Sequence, residues 1–418
     1  ADEIQHDGPI TFARFMAVAL YHPTLGYYAG GGSDREPVGW EGDYFTSGDL
    51  HPLWGESIAR QLHQMWQLMG QPARFDVVEP GAGRGLLARD VWGWALRHAP
   101  DWAATLRYTL ADRAPKDTPL RTLRESRLAA ELVRLGVPDG ATRWADDLDD
   151  ALPEDGITGC VISNELADAL PVHILEKREG ALREVYVDVD MGAGRFVERL
   201  GASSTPQVAS YLDEYHVPWR SYPDSWRAEV CLEARAWMRR VAAGVRRGFV
   251  LTIDYGDTAR RLYTRDRRRG TLAVYSQHQF GERPLAQPGS QDITAHVNFS
   301  ALVQAGRESG LRLSGLTTQA AFLTALGVRE RIASLSGPQR PDIPTGTAVA
   351  DSQVAYLRRI SQRNALNALL SPAGLGGFKV LVQQRGVPGA SRRLLGLQSA
   401  TIASAPVKEY RMCSSGME

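Results

Sequence analysis

The stretch VVEPGAGRGLLARD, residues 77–90, holds residue types whose spacing suits chemistry. An apolar run ends in Glu79, glycines follow at 81, 83 and 85, and a helical pattern opens at Leu86. Glycine tolerates positive φ and lets backbone N–H groups approach a ligand closely. Such a turn between a strand and a helix suits a nucleotide-like ligand, although chain reversal alone also produces it. Downstream, YTLAD ends a second strand at Asp112, where an acid can accept both hydroxyls of a ribose. Glu79 bears on the rest of the ligand. It would repel a pyrophosphate but suits the ammonium and sulfonium of S-adenosylmethionine (SAM). Leu86 stands where a dinucleotide fingerprint has its third glycine, and no Gly-Lys-Ser/Thr follows. The expected cofactor is therefore SAM, and the expected reaction is methyl transfer.

In-line displacement at a methyl carbon needs a positioned nucleophile. Carboxylates beside such a nucleophile can orient it and stabilise positive charge that develops on it. SNELADALPV supplies such acids just past an apolar strand: Asn164, Glu165 and Asp168 leave the sheet edge where ligands bind in open α/β folds. Acids enriched at a helix start give the alternative, structural reading. QDITAHVNF offers a second polar loop, in which Asp292 and His296 could bind substrate or accept a proton; a cap and a buried histidine would explain the same residues. GDYFTS places Thr46 and Ser47 on a segment able to close over the cofactor. Asp147, after a weak third strand, stands where the adenine edge is often met, or is one solvated acid of ADDLDD. The expected cofactor set is Glu79, Gly81, Ala82, Gly83, Asp112, Asp147, Asn164, Thr46 and Ser47. The expected catalytic set is Glu165, Asp168, Asp292 and His296, with no metal.

The elements that must position these residues alternate. RFDVVE, RYTLAD, TRWAD, GCVISNE and GFVLTIDYG read as strands, and helices are expected over 86–98, 118–135 and 226–245. This alternation predicts an α/β fold, a largely parallel sheet covered by helices on both faces. LRLSGL and FKVLVQQ are late strands. Val185, Val187 and Val189 alternate with polar residues, as in a half-exposed antiparallel strand. The expected organisation is an N-terminal helical or lid segment over 1–70 and a core over 71–170 and 226–383. An antiparallel or irregular insertion covers 171–225, a further insertion 256–300, and a flexible tail 384–418. The run RRLYTRDRRRG reads as a solvated loop.

The 418 residues are 43% hydrophobic with zero formal net charge, which disfavours a generic nucleic-acid binder. No apolar run is long enough to span a bilayer. Cys160, Cys231 and Cys413 are too few for a disulfide framework and fit a reducing compartment. Lysine fills only four of the 48 basic positions, as in a GC-rich genome. The expected setting is the bacterial cytoplasm. The start has neither an initiator Met nor a signal peptide, so a processed chain of the mitochondrial matrix is the alternative.

Several stretches together carry a more specific signal: GPITFARFMAVALYHPTLGYY, GDYFTS with PLWGE, VVEPGAGRG, SNELADALPV, TIDYG, GTLAVY, PGSQDITAHVNFSAL, TTQAAFL and GFKVL. In this order, over residues 8 to about 383, the chain resembles the MidA-like methyltransferases. These are SAM-dependent protein arginine methyltransferases that include a mitochondrial complex I assembly factor. The resemblance implies a seven-stranded class I (Rossmann-like) SAM methyltransferase core and an arginine of a protein or peptide as methyl acceptor. It also implies that Glu165 and Asp168 hold the guanidinium. The sequence departs from the family at Gly48, where Thr-Ser-Pro is usual, and in DLHPL; both changes lie in the expected lid. A small-molecule or different peptide acceptor, and a non-catalytic assembly factor, remain alternatives. A homodimer is compatible with the sequence.

Overall fold

The computed structural model describes residues 1–29, 36, 39, 42–43, 45–113, 116, 118–276, 279–335 and 360–398. Its strands, in chain order, begin with β1 (Ile10–Thr11), β2 (Phe75–Pro80), β3 (Leu106–Ala111), β4 (Thr142–Ala145) and β5 (Ile157–Asn164). Next come β6 (His173–Arg178), β7 (Ala181–Asp190), β8 (Arg195–Gly201), β9 (Arg227–Val230) and β10 (Val245–Asp254). Five short strands follow: β11 (Gly256–Asp257), β12 (Ala273–Ser276), β13 (Gln279–Gly281), β14 (Asp292–Thr294) and β15 (Val297–Asn298). The last two are β16 (Arg312–Thr318) and β17 (Lys379–Arg385).

Among the described residues, seven strands form the main sheet, in the order β16-β17-β10-β5-β2-β3-β4. β2 to β5 and β10 run parallel, and β17 is antiparallel to both neighbours. Successive strand residues face opposite sides of a sheet, and here both sides are buried. Val77, Cys160, Ile162, Phe249 and Leu251 enter one core cluster; Val78, Val161 and Val250 enter another. This two-sided burial explains why the central strands read as continuous apolar runs.

The helix Leu86–His98 forms where expected. So does Pro119–Leu135, whose Thr118 side chain accepts from the Arg121 N–H and whose Gly136 ends it at φ 79°. Other boundaries differ. The expected helix over 226–245 begins with β9, and only Leu232–Gly244 is helical, because Arg227–Val230 pairs with β6 in a second sheet. QDITAHVNF is not simply a loop: β14 pairs with β12 and β15 with β11.

The second sheet has the order β1-β7-β6-β9, with β8 also on β7. It is not confined to 171–225, since β1 comes from the N-terminus and β9 from beyond residue 225. The N-terminal 70 residues likewise divide between two cores. Phe12–Tyr21 places Phe12, Phe15 and Met16 against Ile174, Val185 and Val187 of the second sheet. Leu53–Leu68 places Ile58, Leu62 and Met65 in the cluster of Phe75 and Trp102 on the main sheet. The expected flexible tail is corrected in its first part. β17 runs to Arg385, and Val387, Ala390 and Leu394 are buried in the main core. Residues 399–418 lie outside the described residues.

Candidate active site

The strand order reverses between β2 and β5, and ligands of open α/β sheets bind beyond the C-terminal strand ends at such a reversal. A cavity of about 240 Å³ lies there. Glu79, Gly81, Ala82, Gly83, Asp112, Asp147, Asn164 and Thr46 line it, as does Glu165. Gly81 and Ala82 N–H groups donate to the Ala111 carbonyl at 2.8 and 3.2 Å, folding the loop over the end of β3. Gly83 stands at φ 53°, and an added Cβ there would meet nothing within 4 Å. Gly85, at φ 72°, instead allows close packing, since a Cβ would come within 2.5 Å of Leu128. The first needs glycine's backbone freedom beside the cavity; the second needs its small size.

Glu79 accepts a 2.6 Å hydrogen bond from the Tyr108 hydroxyl. Burial pushes its carboxyl up to about 8, with the Tyr108 bond opposing the rise and Asp90 and Asp112 adding to it. A buried acid of this kind costs least when a cation joins it. Asp112 is held by Arg124 at 2.7 Å, and Arg124 also reaches Glu36 at 2.6 Å. Asp147 accepts from the Asp150 N–H at 2.8 Å, capping the helix Leu148–Ala151 as well as lining the cavity. Asp147 is exposed, as the solvated reading expects, and also borders the cavity. Asn164 donates to Glu165 at 3.0 Å, while its own Oδ1 is buried without a partner. Two carboxylates and an orphaned carbonyl oxygen fit a ligand that carries an ammonium, a sulfonium and ribose hydroxyls.

Ser47 is placed differently from the expectation. It does not line this cavity; its hydroxyl pairs with Gln319, and its N–H donates to Glu165 Oε1 at 3.0 Å. Thr46 caps the helix Ser47–Leu50 through a reciprocal bond with Asp49, and Asp49 forms an ion pair with Arg84 of the glycine loop. The N-terminal segment is thus tied directly to the cofactor loop.

A second, larger cavity of about 1260 Å³ adjoins the acidic segment. Glu165, Asp168, Asp292 and His296 all line it, so the four expected catalytic residues meet there, and Glu165 borders both cavities. Glu165 follows β5 at φ 50°, an uncommon conformation for a side-chain-bearing residue. Burial pushes its carboxyl up to about 7; the Ser47 N–H and Asn164 oppose this, and the Asp168 charge adds to it. Burial also pushes Asp168 up to about 6. The Tyr255 hydroxyl lies close enough to counter part of that rise, yet neither it nor Asp168 Oδ1 completes a hydrogen bond. Asp292 accepts from the Tyr28 hydroxyl at 2.9 Å. His296 lies edge-on to Tyr255, with ring centroids 5.3 Å apart. Burial and the charges of Arg267 and Lys379 lower it to about 4, so the ring is neutral near pH 7 and a weak base.

Sequence reasoning placed Asp254 at the sheet edge facing the cleft but missed its task, and it missed other lining residues altogether. Asp254 is buried and accepts from the N–H groups of Ala167 and Tyr255 at 2.9 and 2.8 Å, fixing the backbone that carries Glu165 and Asp168. IDYG marked its position but not this task. Tyr21, Tyr28 and Arg124 line the cofactor cavity, and nothing in their local spacing separates them from ordinary packing residues. Arg267 and Arg269, in the run read as solvated, line the larger cavity.

A seven-stranded sheet with one antiparallel strand, and a cofactor cleft at its reversal, define a class I SAM-dependent methyltransferase. Residues 57–317 match the family described as "Putative S-adenosyl-L-methionine-dependent methyltransferase", and the chain belongs to that family. A crystal structure of a Burkholderia thailandensis protein bound to S-adenosyl-homocysteine is 31% identical. The likeness covers 95% of this chain and 92% of that one, with a TM-score of 0.79. The protein arginine methyltransferase NDUFAF7 homolog, mitochondrial, of Drosophila melanogaster is 29% identical over 81% of this chain and 76% of its own length. The Homo sapiens protein arginine methyltransferase NDUFAF7, mitochondrial, is 29% identical over 79% and 73%. The cofactor is SAM. Among the described residues, no helix is long and apolar enough to cross a membrane.

Proposed function

We propose that this methyltransferase acts on an arginine guanidinium of a protein or peptide. The observation that carries the reading is Glu165, which borders both the cofactor cavity and the larger one. Glu79 and Asn164 would hold the methionine end of the cofactor, the glycine loop its backbone-facing edge, and Asp112 its ribose. Asp147 would stand near the adenine, and Thr46 would help close the lid. When bound, SAM supplies an electrophilic methyl carbon on a positively charged sulfur. Glu165 and Asp168 would fix one guanidinium nitrogen in line with that carbon. A C–N bond forms as the S–C bond breaks, and the electron pair of the latter stays on sulfur. The nitrogen then loses a proton, and Glu165, with its carboxyl near 7, is suited to take it. His296, held near 4, would line the acceptor site as a neutral group rather than carry the proton.

Cavity size supports a peptide segment over a small molecule, and the names of the relatives support arginine. Those names also support the matrix alternative over the cytoplasm, which cell fractionation tests. For the acceptor, proteome peptides are incubated with SAM and the protein, and methylarginine is read by mass spectrometry. Wild type should add 14 Da to arginine (the mass of one CH₂, an order-of-magnitude guide of about 14 Da per transfer). Glu165→Gln should add none while binding S-adenosyl-homocysteine within about threefold of wild type, as expected for an interaction made mainly with acceptor and transition state. Methylation of another side chain, or full activity of the variant, overturns the reading.

A further inference from the structure

The turn after the first long helix contains adjacent tyrosines, Tyr27 and Tyr28, in a 3₁₀ turn Tyr27–Ala29. Each hydroxyl holds an acid that lines the larger cavity: Tyr27 donates to Asp43 at 3.0 Å, and Tyr28 donates to Asp292 at 2.9 Å. Tyr28 also lines the cofactor cavity. Its ring stacks on Tyr21, with centroids 5.5 Å apart, and Tyr21 donates to the carbonyl of Ala169 at 2.9 Å, next to Asp168. The Tyr27 and Tyr28 rings meet edge to face at 5.2 Å. One short turn therefore reaches the wall of the first cavity and two acids of the second, and it stacks on Tyr21, which holds the residue after Asp168.

We propose that Tyr28 is a positioning residue for Asp292, with Tyr27 doing the same for Asp43, so that this tyrosine pair sets the carboxylates that receive the acceptor. The inference rests on the reading of the larger cavity as the acceptor site. A carboxylate has several rotamers, and a buried one that loses its donor can turn away from its target. A phenol is well suited to hold it, since the ring is fixed by packing and its O–H has one direction of donation. A hydrogen bond to a charged group, once removed, typically weakens the supported interaction by about 10- to 100-fold. Tyr28→Phe keeps the ring that lines the cofactor cavity and removes only the hydroxyl on Asp292, so the effect should fall on the acceptor.

The test uses the full chain, tritiated SAM and a degenerate peptide pool with one fixed central arginine. Tyr28→Phe should lower kcat/KM for the pool by about 10- to 100-fold, with the Kd for S-adenosyl-homocysteine within about twofold of wild type. Asp292→Asn should lose a similar factor, and the double variant should lose no more than the worse single one, because both break the same unit. If Asp292→Asn matches wild type, the acceptor-site reading of that residue fails. If Asp292→Asn is impaired while Tyr28→Phe is not, or if the two losses multiply, the positioning inference fails. Tyr27→Phe measured beside Asp43→Asn repeats the cycle on the second pair, should Tyr28→Phe not fold.

Discussion

At the scale of single residues, the site is a group of acids kept largely out of water. Glu79, Glu165 and Asp168 each stand above the ordinary carboxylate range, and burial is the largest cause in all three. A raised folded-state value favours the neutral acid. Its contribution to stability is complete below the unfolded value near 4 and is lost as pH rises through about 6 for Asp168, 7 for Glu165 and 8 for Glu79. The cofactor-free protein should therefore melt at lower temperature as pH rises across that window. SAM, which brings the compensating cations, should flatten the decline. Thermal melts with and without SAM check this, and parallel curves would contradict it. The same physics predicts that SAM binding at pH 7 releases protons as Glu79 ionises. Calorimetry in two buffers of different ionisation enthalpy should give different apparent enthalpies. On the proposed arginine acceptor, methyl transfer should rise with pH along a limb between about 6 and 7, as Asp168 and Glu165 ionise.

At the scale of elements, each acid is delivered by a strand end or a tied loop. β2 carries Glu79, β5 ends in Asn164 with Glu165 directly after it, and β10 carries Asp254, whose carboxylate holds the turn beyond β5. These strand ends were legible, because an apolar run followed by a glycine or an acid marks the edge of a buried strand. The segment around Thr46 was legible only in part. GDYFTS marked Thr46 and Ser47, but the ion pair between Asp49 and Arg84 joins residues whose local patterns are unrelated. Asp49→Ala removes both the Thr46 cap partner and the Arg84 partner. It should weaken S-adenosyl-homocysteine binding by about tenfold, the scale of one lost charged hydrogen bond, while a helix elsewhere in the chain keeps its exchange protection. Titration calorimetry reads the first effect and hydrogen exchange the second. Unchanged affinity would mean that the tie between Asp49 and Arg84 contributes nothing to holding the cofactor.

At the scale of the whole molecule, two sheets share the N-terminal segment, and the last described residues return to the main core. Leu394 is fully buried among the residues of that core, in a stretch with no sustained sequence period. Leu394→Ala should cost about 2–5 kcal/mol and lower the denaturant midpoint without changing cofactor affinity at low temperature. A midpoint equal to wild type would show that this return contributes no stability.

The sequence by itself determined the α/β class, the glycine loop, the acid that excludes a pyrophosphate and the two acidic stretches, because each is a local pattern of polarity and spacing. Only the tertiary structure decided that Glu165 borders both cavities, that Ser47 turns away from the first, that burial and the charges of Arg267 and Lys379 hold the His296 ring near 4, and that Tyr28 reaches Asp292 across 264 positions of chain. These facts depend on which strand ends lie side by side and on how much water each group loses. Neither quantity has a period along the sequence; both arise when distant segments close around one core.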